Sequence, residues 1–200
     1  MNIKARIELE VIKDGKVIDR RVEDAHSFVQ NAAMNIFQVL APFGSSLPAV
    51  QGLKYTDGSD VVPVDWKDID NPGEYAVDAP AGDDNYGILV GSSDAAFSVD
   101  QYNLVSKIPH GTGAGQLEYD QTQLPGAVTS GNTIEYQIKR YFNNRSGGDV
   151  TVREIGYAVK VVDAGGVEHY LLLARDVITA ITIPDGGTLT VTYRIVVNPS

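Results

Sequence analysis

Residues 132–197 alternate apolar and polar side chains with a period of two, and no other stretch restricts the fold as tightly. From 132 to 142, Ile134, Tyr136 and Ile138 fall on one face, and Thr133, Glu135, Gln137 and Lys139 on the other. At the far end, Leu189, Val191, Tyr193, Ile195 and Val197 alternate with Thr188, Thr190, Thr192 and Arg194. That pattern marks a strand with one buried face. Between them, Val150 and Val152 share a face, and then Ile155, Tyr157, Val159 and Val161 do. The slip in parity near Glu154 predicts a β-bulge. Glycine-rich turns divide the region into strands at 132–142, 150–162, 167–175 and 188–197, and 176–187 reads as a connection ending in Pro184-Asp185-Gly186-Gly187.

The N-terminal part adds a hairpin and a helix. Ile3, Ala5, Ile7, Leu9 and Val11 alternate with Lys4, Arg6, Glu8 and Glu10, and Lys13-Asp14-Gly15-Lys16 supplies an Asp-Gly turn before a weaker return strand at 17–22. Glycine accepts the positive φ that such hairpin turns require. Ser27-Phe28-Val29-Gln30 then fits a capping box. Phe28, Val29, Ala32, Ala33, Ile36, Phe37 and Leu40 recur at helical spacing before Pro42 and Gly44. This predicts one helix covering an open end or face of the β-structure, with Phe28 and Phe37 packed in the core, an interface role for either being the alternative.

Residues 45–85 break the pattern. Pro48, Pro63, Pro72 and Pro80 are scattered among Gly and Asp with no sustained periodicity. A loop this long inside a compact domain usually has a job, so it reads as an excursion able to reach a neighbouring subunit. Tyr86-Gly87-Ile88-Leu89-Val90-Gly91 is a short buried-type strand, 104–108 a short edge segment, and 126–131 a connection. The expected fold is mainly β: one antiparallel β-sandwich or jelly-roll-like domain over residues 1–200, with one helix near the N-terminus and 45–85 as a loop excursion.

Composition narrows the function classes. The chain has no Cys, so disulfides, thiolate nucleophiles and Cys-ligated zinc are out of reach. A net charge of −10 argues against a nucleic-acid backbone as partner. Arg20-Arg21 and Lys139-Arg140 are the local basic spots, and both read as solvated strand faces. The N-terminus lacks an apolar signal-peptide core, and no apolar run approaches the roughly 20 residues that span a bilayer. The sequence therefore predicts a soluble protein with no membrane partner.

Candidate chemistry is sparse. His110-Gly111-Thr112-Gly113-Ala114-Gly115 is glycine-rich, but no Lys-Ser/Thr pair or helical run follows, so a phosphate loop is not indicated. His26, His110 and His169 have no partner at metal-ligand spacing, and no Gly-x-Ser-x-Gly elbow occurs. Acidic residues cluster at Asp57-Gly58-Ser59-Asp60, at Asp65, Asp68 and Asp70, and at Asp83-Asp84, without the spacing of an EF-hand. The expectation is a non-enzyme with no catalytic residue, cofactor or metal. Trp66, Tyr55 and Tyr75, all in the excursion, are the candidate interface anchors. The same rings can instead pin the loop to the sheet.

The order of motifs from 86 to 197 resembles a group of tailed-bacteriophage virion proteins. It is carried by Tyr86-Gly87-Ile88-Leu89-Val90-Gly91-Ser92, Tyr102-Asn103-Leu104 and His110-Gly111-Thr112-Gly113-Ala114-Gly115-Gln116-Leu117. Then come Tyr141-Phe142-Asn143-Asn144, Ser146-Gly147-Gly148, Val152-Arg153-Glu154-Ile155-Gly156-Tyr157, Leu173-Ala174-Arg175-Asp176-Val177 and Ile183-Pro184-Asp185-Gly186-Gly187-Thr188-Leu189-Thr190-Val191. Ser27-Phe28-Val29 and Asn31 also suit the group. The resemblance implies a virion component, made in the host cytoplasm, that self-associates as a homo-oligomer and clasps other virion proteins. A capsid decoration or head–tail junction is the expected place. A receptor- or carbohydrate-binding module of a tail fibre is the alternative, marked by an exposed coplanar aromatic pair.

Overall fold

The computed structural model describes residues 2–25, 27–33, 54–60, 75–163 and 165–198. The strands are β1 (Asn2–Lys13), β2 (Lys16–Ala25), β3 (Tyr75–Ala76), β4 (Gly87–Gly91), β5 (Glu118–Tyr119), β6 (Gln123–Ser130), β7 (Thr133–Asn143), β8 (Val150–Val162), β9 (Glu168–Ile183) and β10 (Thr188–Asn198). They form a six-stranded sheet in the order β2-β1-β10-β7-β5, with β6 also on β7, and a four-stranded sheet in which β8 is flanked by β9 on one side and by β3 and β4 on the other. Every strand pair is antiparallel.

The two sheets share one core, which makes the fold a β-sandwich. Ile7, Leu9 and Val11 of β1, Phe142 of β7 and Leu189 and Val191 of β10 pack with Ile88 and Val90 of β4, Val152 and Ile155 of β8, and Ile181 and Ile183 of β9. Each such side chain contributes about 1.5–3 kcal/mol of burial. The hairpins β1–β2, β6–β7 and β8–β9 each stay within one sheet. This strand order establishes the sandwich and lends nothing to the jelly-roll refinement.

The alternation in the sequence translates directly into the larger sheet. Ala5, Ile7, Leu9 and Val11 are buried while Lys4 and Arg6 are exposed. The β1–β2 turn has Asp14 at φ 52° and Gly15 at φ 71°, the paired positive angles of a type I′ turn. The slip near Glu154 is a bulge: Val152 faces Ile181 and Glu154 faces Val177, so residues 178–180 of β9 stand opposite Arg153 alone. Their stranded backbone groups find partners on β2. The Glu23 carboxylate accepts from the Thr179 N–H at 3.2 Å, and Arg21 donates to the carbonyls of Thr179 and Ala180 at 3.1 and 2.8 Å.

Several expectations are corrected. Ser27 does not cap a helix. Its carbonyl accepts from the Arg175 N–H, and the Val29 N–H donates to the Leu173 carbonyl, so 27–29 runs as an extra strand along β9. Helical conformation begins at Gln30 and is described through Ala33; the remainder of the expected helix, with Phe37, lies outside the described residues. Phe28 is 42% exposed and not in the core, because strand pairing turns it outward. Residues 176–183 are not a connection but continue β9, and 126–131 belongs largely to β6. Arg140, expected on a solvated face, is fully buried. It shares the core-facing parity of Ile138 and Phe142, and parity outweighs charge when the guanidinium finds partners inside.

A second apolar cluster packs Ala32 and Tyr55 against Val159, Val161, Leu171 and Leu173. Of the 45–85 excursion, 54–60 is a loop closed by a Lys54–Asp60 bridge, and 75–76 is β3.

Candidate functional site

The β6–β7 hairpin and a polar cleft over the smaller sheet both offer surface to a partner. The hairpin is built on a two-residue turn, Gly131-Asn132, between the paired residues Ser130 and Thr133. Gly131 has φ 57°, the position at which a type II′ turn places glycine. Every residue of β6 is exposed. On β7, Ile138, Arg140 and Phe142 are buried, but Ile134 and Tyr136, on the same face, are 40% and 39% exposed. Thus the core face of the larger sheet runs on past its cover. Leu124 and Val128 on β6 add exposure of 51% and 62%.

Tyr75 of β3 lies at this open end at 37% exposure. Its phenol is pushed up to about 12 by desolvation, with a smaller push from Tyr136. Desolvation also raises Tyr136 and, more strongly, Tyr157, which feels both Tyr75 and Tyr136. Tyr157 in turn packs on Tyr193 across the sandwich, with ring centroids 6.1 Å apart. The Tyr193 hydroxyl donates to Asp176 at 2.9 Å. A file of phenols therefore leads from the exposed rim into the core.

The cleft has a volume of about 390 Å³ and is lined by Tyr55, Asp57, Asp84, Lys107, Glu168 and His169, among others. Its charged groups are braced by their own chain. Partial burial pushes Asp84 up, but hydrogen bonds from the His110 N–H at 2.8 Å and from Lys107 Nζ at 3.0 Å outweigh it and hold the carboxyl low. The Ser59 hydroxyl and N–H hold Asp57 low in the same way. Glu168 accepts from Lys160 at 3.0 Å. His169 stacks on Tyr55, with centroids 4.1 Å apart, and meets Asp163 at 3.1 Å. A general acid needs a carboxyl held protonated, and Asp57 and Asp84 are biased the other way.

The remaining motifs among the described residues bond within their own chain. The glycine-rich loop after His110 folds back on itself: the Gly111 N–H donates to the Leu117 carbonyl, and Gln116 Oε1 accepts from the Gly113 N–H at 2.8 Å. Gly111 sits at φ 148°, a backbone conformation that favours glycine. Asp60 pairs with Lys54, and Asp83 accepts from the Asn85 N–H. The Asp65, Asp68 and Asp70 cluster lies outside the described residues. Among the described residues, no group of three or more His, Asp or Glu is placed to hold a metal ion, and no helix is long and apolar enough to cross a membrane.

Of the three anchors proposed from sequence, Tyr55 and Tyr75 are described. Tyr55 is 2% exposed, and its ring is spent on His169, so it pins its own loop to the sheet. Tyr75 stands at the open rim. Trp66 lies outside the described residues. The stacked ring pairs Tyr55–His169 and Tyr86–Tyr170 each contain a buried Tyr, so neither offers an exposed coplanar platform for a sugar. Sequence reasoning missed Leu124, Val128, Ile134 and Tyr136. A signal was present in the uncharged run from 121 to 134, although 27–53 is a longer run of the same kind. No protein family, curated protein or solved structure matches this chain.

Proposed function

We propose that the protein is a non-enzymatic structural component of a tailed-bacteriophage particle, made in the host cytoplasm and built into the virion through its β6–β7 hairpin. The observation that carries this reading is the β6 edge of the larger sheet, where every residue of β6 and, on β7, Ile134 and Tyr136 are exposed. Soluble proteins normally blunt an edge strand with charge, Pro, a bulge or cover, and β6 has Pro125 and a bulge only at its start. An edge left neutral, with Val128, Leu124, Ile134 and Tyr136 at the surface, is suited to being covered on assembly. The shared order of motifs with phage virion proteins supports the same conclusion, and a rigid two-sheet body suits a capsid decoration or head–tail junction. The buried polar groups suit a role in shape: Arg140 and Arg175 bind carbonyls and a carboxylate inside the fold.

The direct test is particle localisation. Mass spectrometry of purified virions should find the chain in many copies, and an antibody against it should label one feature of the particle under the microscope. Virions that lack the chain would overturn the proposal.

A further inference from the structure

The hairpin fixes which backbone groups of β6 are free. A two-residue turn closes on a pair that exchanges both hydrogen bonds, here Ser130 and Thr133, and such pairs alternate along an antiparallel ladder. Val128 therefore bonds to Glu135 and Gly126 to Gln137, while Ala127 and Thr129 turn their N–H and C=O groups away from β7. Among the described residues no strand pairs with that outer edge. The regular edge is short, because the register shifts between Gln123 and Gly126.

We infer that β6 of one copy pairs antiparallel with β6 of a second copy about a two-fold axis through Val128, joining the larger sheets of both copies into one. This rests on the reading of the hairpin as the assembly element and names its partner. Three observations single out a second copy. First, the free groups are self-complementary: a two-fold at Val128 sets Ala127 opposite Thr129 of the other copy, so each outward N–H meets an outward C=O, an isologous contact that closes. Second, a chain of net charge −10 repels itself, and residues 121–134 carry no charge to oppose close approach. Third, the side chains continue across the join. Ala127 lies beside Tyr136 and Thr129 beside Ile134, so on the core-side face Tyr136, Ala127, Thr129 and Ile134 form one row across the two copies. On the other face Val128 meets its own counterpart.

At the axis, Val128 faces itself as a pair without direct hydrogen bonds, with Cα atoms about 4.5 Å apart, inside the span a disulfide bridges. The native chain has no Cys, so a single introduced thiol reports cleanly. The full chain carrying Val128→Cys should convert to covalent dimer under mild oxidation, while Val167→Cys, 54% exposed on a distant turn, stays monomeric. A second variant, Thr129→Pro, removes an outward N–H that β7 does not use. It should weaken dimerisation at least tenfold in sedimentation equilibrium and leave the far-ultraviolet spectrum unchanged. A wild-type chain that dimerises while Val128→Cys fails to cross-link, or while Thr129→Pro dimerises undiminished, overturns this pairing. A wild-type chain that stays monomeric at the highest soluble concentration overturns it as well. None of these results bears on whether the chain is in the virion, which particle mass spectrometry decides separately.

Discussion

Arg175 and Glu154 meet in an ion pair that neither side chain exposes to solvent, Nε to Oε2 at 2.6 Å. The pair sits at the β8–β9 bulge and ties down a loop. Glu154 also accepts from the Val105 and Ser106 N–H groups at 3.1 and 2.7 Å, and Arg175 donates to the Ala95 carbonyl and to Gln101 Oε1 at 2.9 and 3.1 Å. Residues 95–106 contain little apolar anchorage beyond Leu104, so this charged clasp holds them on the sheet.

Glu154→Ala strands a buried guanidinium and two backbone donors. It should cost about 3–5 kcal/mol, because breaking one side of a buried pair leaves an uncompensated charge. The double change Glu154→Leu with Arg175→Met should cost less than the sum of the single changes. A double-mutant cycle by urea denaturation measures the difference, and additive effects would refute the coupling.

Arg140 solves the same problem without a carboxylate. Its guanidinium donates to the carbonyls of Tyr86 and Ile88 at 3.0 Å each, and to those of Asp120, Pro80 and Asp83. Desolvation lowers its pKa, and the nearby Tyr119, Asp83 and Asp84 act against that. A Lys ammonium is a single point and cannot span this fan of acceptors. Arg140→Lys should therefore lose about 2–4 kcal/mol, several charged hydrogen bonds at roughly 1.5–3 kcal/mol each being only partly replaced. Hydrogen exchange should speed up first at 80–88. Unchanged exchange there would count against the role.

How much of this was legible in the sequence depends on what set each feature. Where one face is buried and the other wet, as along Ile7, Leu9 and Val11, alternation gave strand and face together. The Asp14-Gly15 turn and the slip at Glu154 were readable because backbone geometry dictates residue type or parity. The end of β9 was not, since residues 178–180 break the alternation that would have announced it. β6 was hidden for another reason: both its faces are exposed, so no burial pattern is imposed, and 126–131 reads as a connection. The partners of Arg140 are carbonyls scattered from Pro80 to Asp120, a convergence that only folding creates. Trp66, proposed as an anchor, lies outside the described residues, and Tyr75 was found at the rim through its place beside β8.

Alkaline pH should unfold the protein. Tyr75 is pushed up to about 12, and burial drives Tyr119, Tyr157 and Tyr193 up as well, the last with help from Asp176. An unfolded chain releases these protons near the ordinary value of 10, while the folded chain keeps them. The folded state then binds more protons, so unfolding free energy falls as pH rises. Stability from these groups is complete below pH 10 and declines from there through about 12 for Tyr75. Ultraviolet titration should show part of the ten tyrosines ionising only together with loss of circular dichroism. All ten titrating near 10 in a folded protein would contradict the buried file.

Gly91 tests whether the clasp tolerates any crowding. A Cβ there would lie 2.4 Å from Glu154 Oε1 and 2.6 Å from the Ser106 carbonyl. The first neighbour is held by Arg175 and by two N–H groups, and the second is backbone whose strand-like bond to Ser92 fixes it at 2.8 Å. Neither can retreat without breaking the network. Gly91→Ala should therefore destabilise by at least about 1–3 kcal/mol, the usual cost of overpacking. Gly148 is the control, because a Cβ there meets nothing within 4 Å and its φ is not in the positive range. Gly148→Ala should be neutral or slightly stabilising through reduced freedom of the unfolded chain. Thermal melts of the two variants should separate by several degrees. If the pair melts together, the rigidity assigned to the Glu154 cluster is wrong, and the 95–106 loop is held by something other than charge.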